Sequence, residues 1–451
     1  MKRFWRLYRP HYRSTLSLGL PVMVSQLGQI SVAVVDVMMI GRLGAIPLAA
    51  AAFATMLVSL PLYFGMGFAL SITPLTGKAF GANNHREVGV LWKNGVVSYL
   101  SVGLLLLLIS AILYGGMAFM NQPDSIIPLA RPFFILIAIS MFPVMIFMLG
   151  KQVLEGLGDT RTAMVITLIA NLINIVGNYL LIYGNLGMPT LGVNGAGVST
   201  LTARTFMAVA IMVVALRKPI LRQALQLAKD VKASFSQVKR IYKLGVPMGM
   251  QVFSEASAFI FAGLMMGWLG EIGLAAHQVV ISLSGLGFML YQAIGMSTTI
   301  RVSQLSALGT PSIVRRASVA SSQIAGVMVV VISGLFLLFH KEIPYLFTQD
   351  EAVALVASKL LIVFIIFQVF DAGQIVFSGI LRGLADARIP SMLTFVSYYL
   401  ISIPISYLAA FKLGFGEVGI WMGFPIGLGI CALLFYFRIR ILMGRLELAR
   451  A

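Results

Sequence analysis

Three acidic residues lie inside long apolar stretches of the chain: Asp36, Glu255 and Asp371. A carboxylate near the middle of a membrane helix costs roughly 2.5 to 3.5 kcal/mol on insertion scales, so it normally faces a cavity and carries function. Each of the three has polar or aromatic company at helical spacing. Gln26, Gln29, Ala33 and Asp36 fall at i, i+3, i+7 and i+10, one face of a helix that should line the interior of its bundle. Gln251 sits one turn before Glu255, and Phe367 one turn before Asp371. A carboxylate beside an aromatic ring suits a lipophilic cation, through charge pairing and cation–π attraction at low dielectric. Asn171, Asn174 and Asn178 share a face in another apolar stretch. Amide oxygens there can ligate a hard cation beside a carboxylate, bond a protonated acid, or glue helices together. Arg204, also in an apolar stretch, is a candidate to neutralise one of the acids. His277 reads as a packing histidine or a proton relay, Gln278 as a substrate contact, and Pro21 as a hinge in its helix.

The elements that must hold these residues follow from composition. With 451 residues, 59% of them hydrophobic, 11% charged, and a mean hydropathy of +0.95, the chain has too little polar surface for a water-soluble globule. Its apolar runs are about twenty residues or longer, which points to helices rather than to the short alternating strands of a barrel. The pattern predicts an all-α integral membrane protein with twelve spans, at 15–41, 46–73, 89–116, 127–149, 161–183, 194–217, 242–267, 273–300, 315–339, 352–381, 389–411 and 417–440. Most of the 33 Lys and Arg residues then fall on one side, including Arg315, Arg316, Arg438 and Arg440. The positive-inside rule makes that side, with both termini, cytoplasmic. The net charge of +18 therefore follows the membrane and implies no nucleic acid. Cys431 is alone, so no intramolecular disulfide forms. No phosphate loop, HExxH, Asp-rich diphosphate motif or GxSxG elbow is present, so no catalytic residue, cofactor or ATP hydrolysis is expected.

The chain repeats itself. Leu18, Gly19 and Pro21 recur as Leu244, Gly245 and Pro247 at an offset of 226, and Gly41, Leu43 and Gly44 as Gly267, Leu269 and Gly270 at the same offset. Leu154, Gly156, Asp159 and Arg161 match Leu381, Gly383, Asp386 and Arg388 at 227, and Leu191, Gly192 and Gly197 match Leu413, Gly414 and Gly419 at 222. Six spans per copy is an even number, so two pseudo-symmetric bundles share one orientation about an axis along the membrane normal. The expected divisions are an N-terminal segment 1–13, an N-lobe 14–217, a basic linker 218–241, a C-lobe 242–440 and a tail 441–451. A cleft between two bundles is where a substrate path belongs. The three acids do not recur in the other copy, so each lobe has its own task.

In order along the chain, several segments resemble the multidrug and toxic compound extrusion (MATE) family, in its NorM-type bacterial branch. They are Pro21 with Asp36, the segment Leu154-Glu155-Gly156-Leu157-Gly158-Asp159-Thr160-Arg161, Asn174 and Asn178, the segment 191–197, Glu255, Ala275-Ala276-His277-Gln278, and Asp371. The resemblance implies a secondary antiporter that expels lipophilic cationic drugs and dyes in exchange for Na+ or H+, alternating between inward-open and outward-open states. It also implies a cation site at Asp36, Asn174 and Asn178 and another at Glu255 and Asp371, with Gln29, Gln251, Gln278 and Phe367 toward the substrate. Some members carry a carboxylate where this chain has Asn178, and some have Tyr where it has Phe367; these departures remove a charge and a hydroxyl ligand. The chain is expected to work as a monomer among membrane lipids. Competing readings are a flippase for lipid-linked oligosaccharides, which would need Arg or Lys in the cleft, and a membrane-embedded enzyme, which would need a catalytic cluster at one interface.

Overall fold

The computed structural model describes residues 2–120, 123 and 125–448. Residues 1 and 449–451, the extremities of the expected N-terminal segment and tail, lie outside them. Twelve helices among the described residues are long and apolar enough to cross a membrane. They are α1 (Arg6–Gly41), α2 (Ala45–Gly81), α3 (His85–Phe119), α4 (Ile127–Gly156), α5 (Arg161–Tyr183) and α6 (Val193–Arg217). After these come α7 (Phe235–Leu269), α8 (Glu271–Ser306), α9 (Pro311–Leu338), α10 (Glu351–Gly383), α11 (Arg388–Lys412) and α12 (Gly416–Leu448). Several run well past the predicted spans because their polar ends continue the hydrogen-bonded ladder beyond the apolar core. Polar caps start two of them: Asn84 accepts from the Glu87 N–H at 3.0 Å, and Asp350 accepts from the N–H groups of Ala352 and Val353 at 2.8 and 3.2 Å.

The repeat is visible in the backbone. Gly44 and Gly270, 226 positions apart, precede α2 and α8 with φ of 117° and 123°, a conformation that L side chains rarely adopt. The turns after α4 and α10 are also equivalent. The Asp159 and Asp386 N–H groups donate to the carbonyls of Leu154 and Leu381, each at about 2.8–2.9 Å, closing a Schellman-type turn. The left-handed residue is Gly158 in one copy, with φ 89°, and Ala385 in the other, with φ 59°. Each aspartate then pairs with a cation: Asp159 with Lys218 at 2.8 Å, and Asp386 with Arg438 at 2.7 Å.

The chain forms two compact units, Pro21–Gly249, and Met1–Leu20 with Met250–Ala451. These differ from the expected lobes 14–217 and 242–440 at the leading ends of α1 and α7. The physical cause is local packing. Early α1 belongs with α8 and α9: the Tyr12 hydroxyl donates to Gln323 Oε1, Arg301 donates to the His11 carbonyl at 3.1 Å, and Gly19 lies against Ile294 and Ser297. Early α7 belongs with α2 and α3: the Tyr242 ring packs edge-on against Phe68 at 5.1 Å, its hydroxyl lies 2.7 Å from that of Ser101, and Gly245 and Gly249 face Phe68 and Phe64. The boundary falls next to Pro21, and α1 runs through that residue unbroken.

The segment 218–241, the expected basic linker, is docked within the first unit. Its helix Pro219–Leu227 buries Leu221 and Ala224 against α3, where Gly89 leaves room for the Ala224 backbone. Lys93 donates to the carbonyls of Ala228, Lys229 and Val231 at 2.6, 3.1 and 3.0 Å, capping the helix end, and Arg240 pairs with Glu87. In the other unit α8 and α10 pack closely. A side chain at Gly379 would collide with the Gly295 carbonyl, and Thr299 donates to the Gly379 carbonyl at 3.0 Å. This contact fixes the helix that carries Asp371.

Candidate functional site

In the first unit, α1 and α5 bring Asp36 to the asparagines. Asn178 Nδ2 donates to Asp36 Oδ1 at 2.5 Å and lies 3.4 Å from Asn174 Oδ1, while Asn174 Nδ2 donates to Thr200 Oγ1 at 3.2 Å. Ser199 Oγ donates to the Asn174 carbonyl at 2.7 Å, and the Tyr183 hydroxyl to the Met39 carbonyl at 2.7 Å, tying α5 to α6 and α1. Asn178 Oδ1 is buried without a hydrogen bond. A carboxylate and two amide oxygens, one of them unsatisfied, are the donor chemistry of a hard monovalent cation site or of a protonatable acid. Gln29 is half-buried on the Asp36 helix and makes no side-chain hydrogen bond among the described residues. Arg204 donates to Ser140 Oγ at 2.7 Å, close enough for its charge to reach Asp36 without forming an ion pair.

In the second unit, α7 and α10 hold the other two acids. Glu255 Oε1 accepts from Gln251 Nε2 at 3.1 Å and from Gln374 Nε2 at 2.9 Å. Gln251 also donates to Ser378 Oγ at 3.1 Å, and the Tyr398 hydroxyl donates to Gln374 Oε1 at 3.3 Å. Tyr398 is presented by a run of π-helical turns, Val396–Ser402, of the kind often found at functional sites. Asp371 is 6% exposed and accepts no hydrogen bond among the described residues. It lies within electrostatic reach of Glu255, so the two carboxyls form one acidic patch. Three residues before it, Gln368 accepts from the Tyr291 hydroxyl at 3.0 Å and leaves its own Nε2 buried and unpartnered. Arg382 donates to the Ser378 carbonyl at 3.3 Å and feels Glu255 without pairing with it. The four ion pairs among the described residues involve Glu155, Asp159, Glu87 and Asp386, and none of the three membrane acids.

The MatE family model matches residues 21–180 and again residues 247–408. The chain belongs to this family. The two matches begin 226 positions apart, the spacing of the repeat. This MATE chain is 31% identical over 446 residues to the probable multidrug resistance protein NorM of Rhizobium meliloti (strain 1021), covering 98% of this chain and 96% of that one. It is likewise 31% identical over 449 residues to the multidrug resistance protein MdtK of Edwardsiella ictaluri (strain 93-146), with 98% and 96% covered. Among solved structures, a eukaryotic MATE transporter superposes with a TM-score of 0.86 at 19% identity, covering 98% of this chain and all of that one. An outward-facing multidrug resistance MATE family transporter of the MOP superfamily superposes at 0.88 and 19%, covering 97% of each. The twelve-helix MATE fold is thereby shown.

Not every expected site residue of this MATE protein joins a site. Phe367 is 2% exposed, and its ring is packed against Phe259, Phe364 and Trp421 with centroids 5.9, 5.7 and 5.8 Å away. The expectation of a ring open to substrate beside Asp371 is corrected on that ground: the aromatic cluster uses its surface. Gln278 is exposed, apart from both hydrogen-bonded groups. His277 accepts from Trp421 Nε1 at 3.2 Å and is buried, which fits the packing role. Sequence reasoning missed Gln368 and Gln374, although they flank Asp371 at i−3 and i+3, the same arithmetic that found the asparagines. It also missed Tyr291, Tyr398 and Ser378, which tertiary packing alone brings in. Outside the membrane, burial pushes the Asp159 carboxyl up, but Lys218 and the Thr162 hydroxyl and N–H outweigh it and hold it below the usual range.

Proposed function

We propose that this multi-pass MATE protein is a secondary active exporter that exchanges lipophilic organic cations for Na+ or H+ by alternating access. The observation that carries the reading is Asp371, a membrane-buried carboxyl with no hydrogen bond or ion pair among the described residues, in one acidic patch with Glu255. A carboxylate buried without a partner is costly, so this group stands to gain a proton or another cation from solution. The glutamines around Glu255 orient that carboxylate without neutralising it, which leaves the patch free to take an organic cation. Asp36 with Asn174 and Asn178 is the reading's site for the coupling ion, and Glu255 with Asp371 its second, where ion and drug compete. An inward-moving cation supplies about 2.3 kcal/mol per 100 mV of membrane potential, enough to drive export when net positive charge enters per cycle.

In this role the protein sits in a bacterial inner membrane with both termini cytoplasmic and acts as a monomer without a cofactor. The relatives' names, which refer to multidrug resistance, support the drug class. Ethidium efflux from cells expressing Asp36→Asn, Glu255→Gln or Asp371→Asn at wild-type surface levels tests it. Each variant is expected to lose most efflux, and wild-type efflux in all three would refute the carboxylate mechanism. A cell-envelope defect on deletion with unchanged drug tolerance would favour the flippase reading instead. Turnover of a polyprenyl substrate by the purified protein would favour an enzyme.

A further inference from the structure

A cavity of about 680 Å³ opens in the second unit between α9, α10 and α12, its α10 wall beginning at Phe377, about two helical turns beyond Asp371. Its polar lining includes Arg315 and Gln323 on α9 and Arg440 and Glu447 on α12; Phe377 and Met443 are part of its apolar wall. Both guanidinium groups are exposed and make no ion pair or side-chain hydrogen bond among the described residues, and neither does Glu447. Gln323 accepts from the Tyr12 hydroxyl through Oε1, which leaves its amide N–H groups to donate. The arginines belong to the basic rim that the charge asymmetry of the sequence puts on the cytoplasmic side. Two fixed cations and an amide donor above an apolar wall match a phosphate joined to an acyl chain, and basic hollows between helices on that side of a membrane are suited to anionic lipid headgroups.

We propose that this hollow binds an anionic phospholipid of the inner leaflet, its phosphate held between Arg315 and Arg440 and its chain lying along Phe377 and Met443. None of the three membrane acids lines it. Glu447 weakens it by repulsion and sets a preference for a single phosphodiester over more highly charged headgroups.

The test uses full-length protein purified in detergent and stripped of lipid. Bound lipid is counted by native mass spectrometry during titration with phosphatidylglycerol, with phosphatidylcholine of the same chains, and with glycerol 1-phosphate. Saturable phosphatidylglycerol binding is expected, stronger than that of phosphatidylcholine. It should weaken roughly tenfold or more in the Arg315→Gln/Arg440→Gln double variant, hold in the Arg315→Lys/Arg440→Lys double variant, and tighten in Glu447→Gln. Arg445→Gln, which leaves the lining unchanged, should bind like the wild type. Met443→Trp fills the apolar wall with every charge kept, so it serves as a second variant; it should weaken phosphatidylglycerol binding. Equal binding by the wild type and the Gln double variant, or equal binding of the two lipids, would overturn the proposal. So would full displacement of the lipid by glycerol 1-phosphate, which would make the hollow a site for a soluble phosphate.

Discussion

Replacing Asp371 by Asn should weaken drug binding and leave the fold as stable as before or more so. The substitution is nearly isosteric, and the native carboxyl accepts no hydrogen bond among the described residues that an amide would disturb. A cation held about 4 Å from a carboxylate gains about 4 kcal/mol at an effective dielectric of about 20. Glu255 remains in the patch, and the lost hydration of both charges offsets part of that gain. A net loss of about 1.4–2.8 kcal/mol follows, roughly 10- to 100-fold in affinity. A neutral amide at this buried position costs no more desolvation than the carboxyl it replaces, ionised or protonated, so the unfolding midpoint should hold or rise. Fluorescence polarisation of ethidium with purified protein reads the affinity, and thermal unfolding of the same sample reads the stability. An Asp371→Asn protein that binds ethidium like the wild type, or that unfolds several degrees earlier, would show that the acid serves the fold and not the substrate.

Three further outcomes follow from the fold. Ala385 holds a left-handed conformation that its counterpart Gly158 adopts without a Cβ, so Ala385→Gly should raise stability by up to about 1 kcal/mol and Gly158→Ala should lower it by about 1–2 kcal/mol in matched thermal unfolding. Gly379→Val drives a branched side chain into the Gly295 carbonyl and should cost about 3 kcal/mol or more, seen as loss of monodisperse protein on size exclusion. Asp159 has a folded-state pKa below its unfolded one, so its contribution is complete at neutral pH and is lost as pH falls through the depressed value. Asp159→Asn should therefore cost at most about 1 kcal/mol at pH 7 and make the acid limb of a midpoint-versus-pH curve shallower.

Much of this was legible in the residues. Long apolar runs separated by one-sided basic clusters define twelve spans, and Gly, Pro and Asp positions in near-constant register define the repeat, down to matching turns at Gly44 and Gly270. The acids stood out because hydrocarbon penalises charge, and Asn174 and Asn178 because three- and four-residue steps put them on one face. The unit boundaries were not legible, because α1 and α7 carry no break and their affiliation is decided by what Tyr12 and Tyr242 touch. Nor was the fate of Phe367: spacing places a ring on the Asp371 face, but only packing tells that Phe259, Phe364 and Trp421 already cover it. Tyr398 escaped for another reason. Its helix turns with the π repeat, so counting at 3.6 residues per turn does not aim it at Gln374.

The account stands or falls on the membrane acids being shared in turn by an organic cation and a coupling ion. Ethidium flux into proteoliposomes under an imposed Na+ gradient, then under an imposed pH gradient, measures that sharing directly when the wild type is compared with Asp36→Asn and Asp371→Asn. One of the two gradients should accelerate flux in the wild type and fail to do so in either variant. Gradient-driven flux that persists undiminished in both variants would contradict the account.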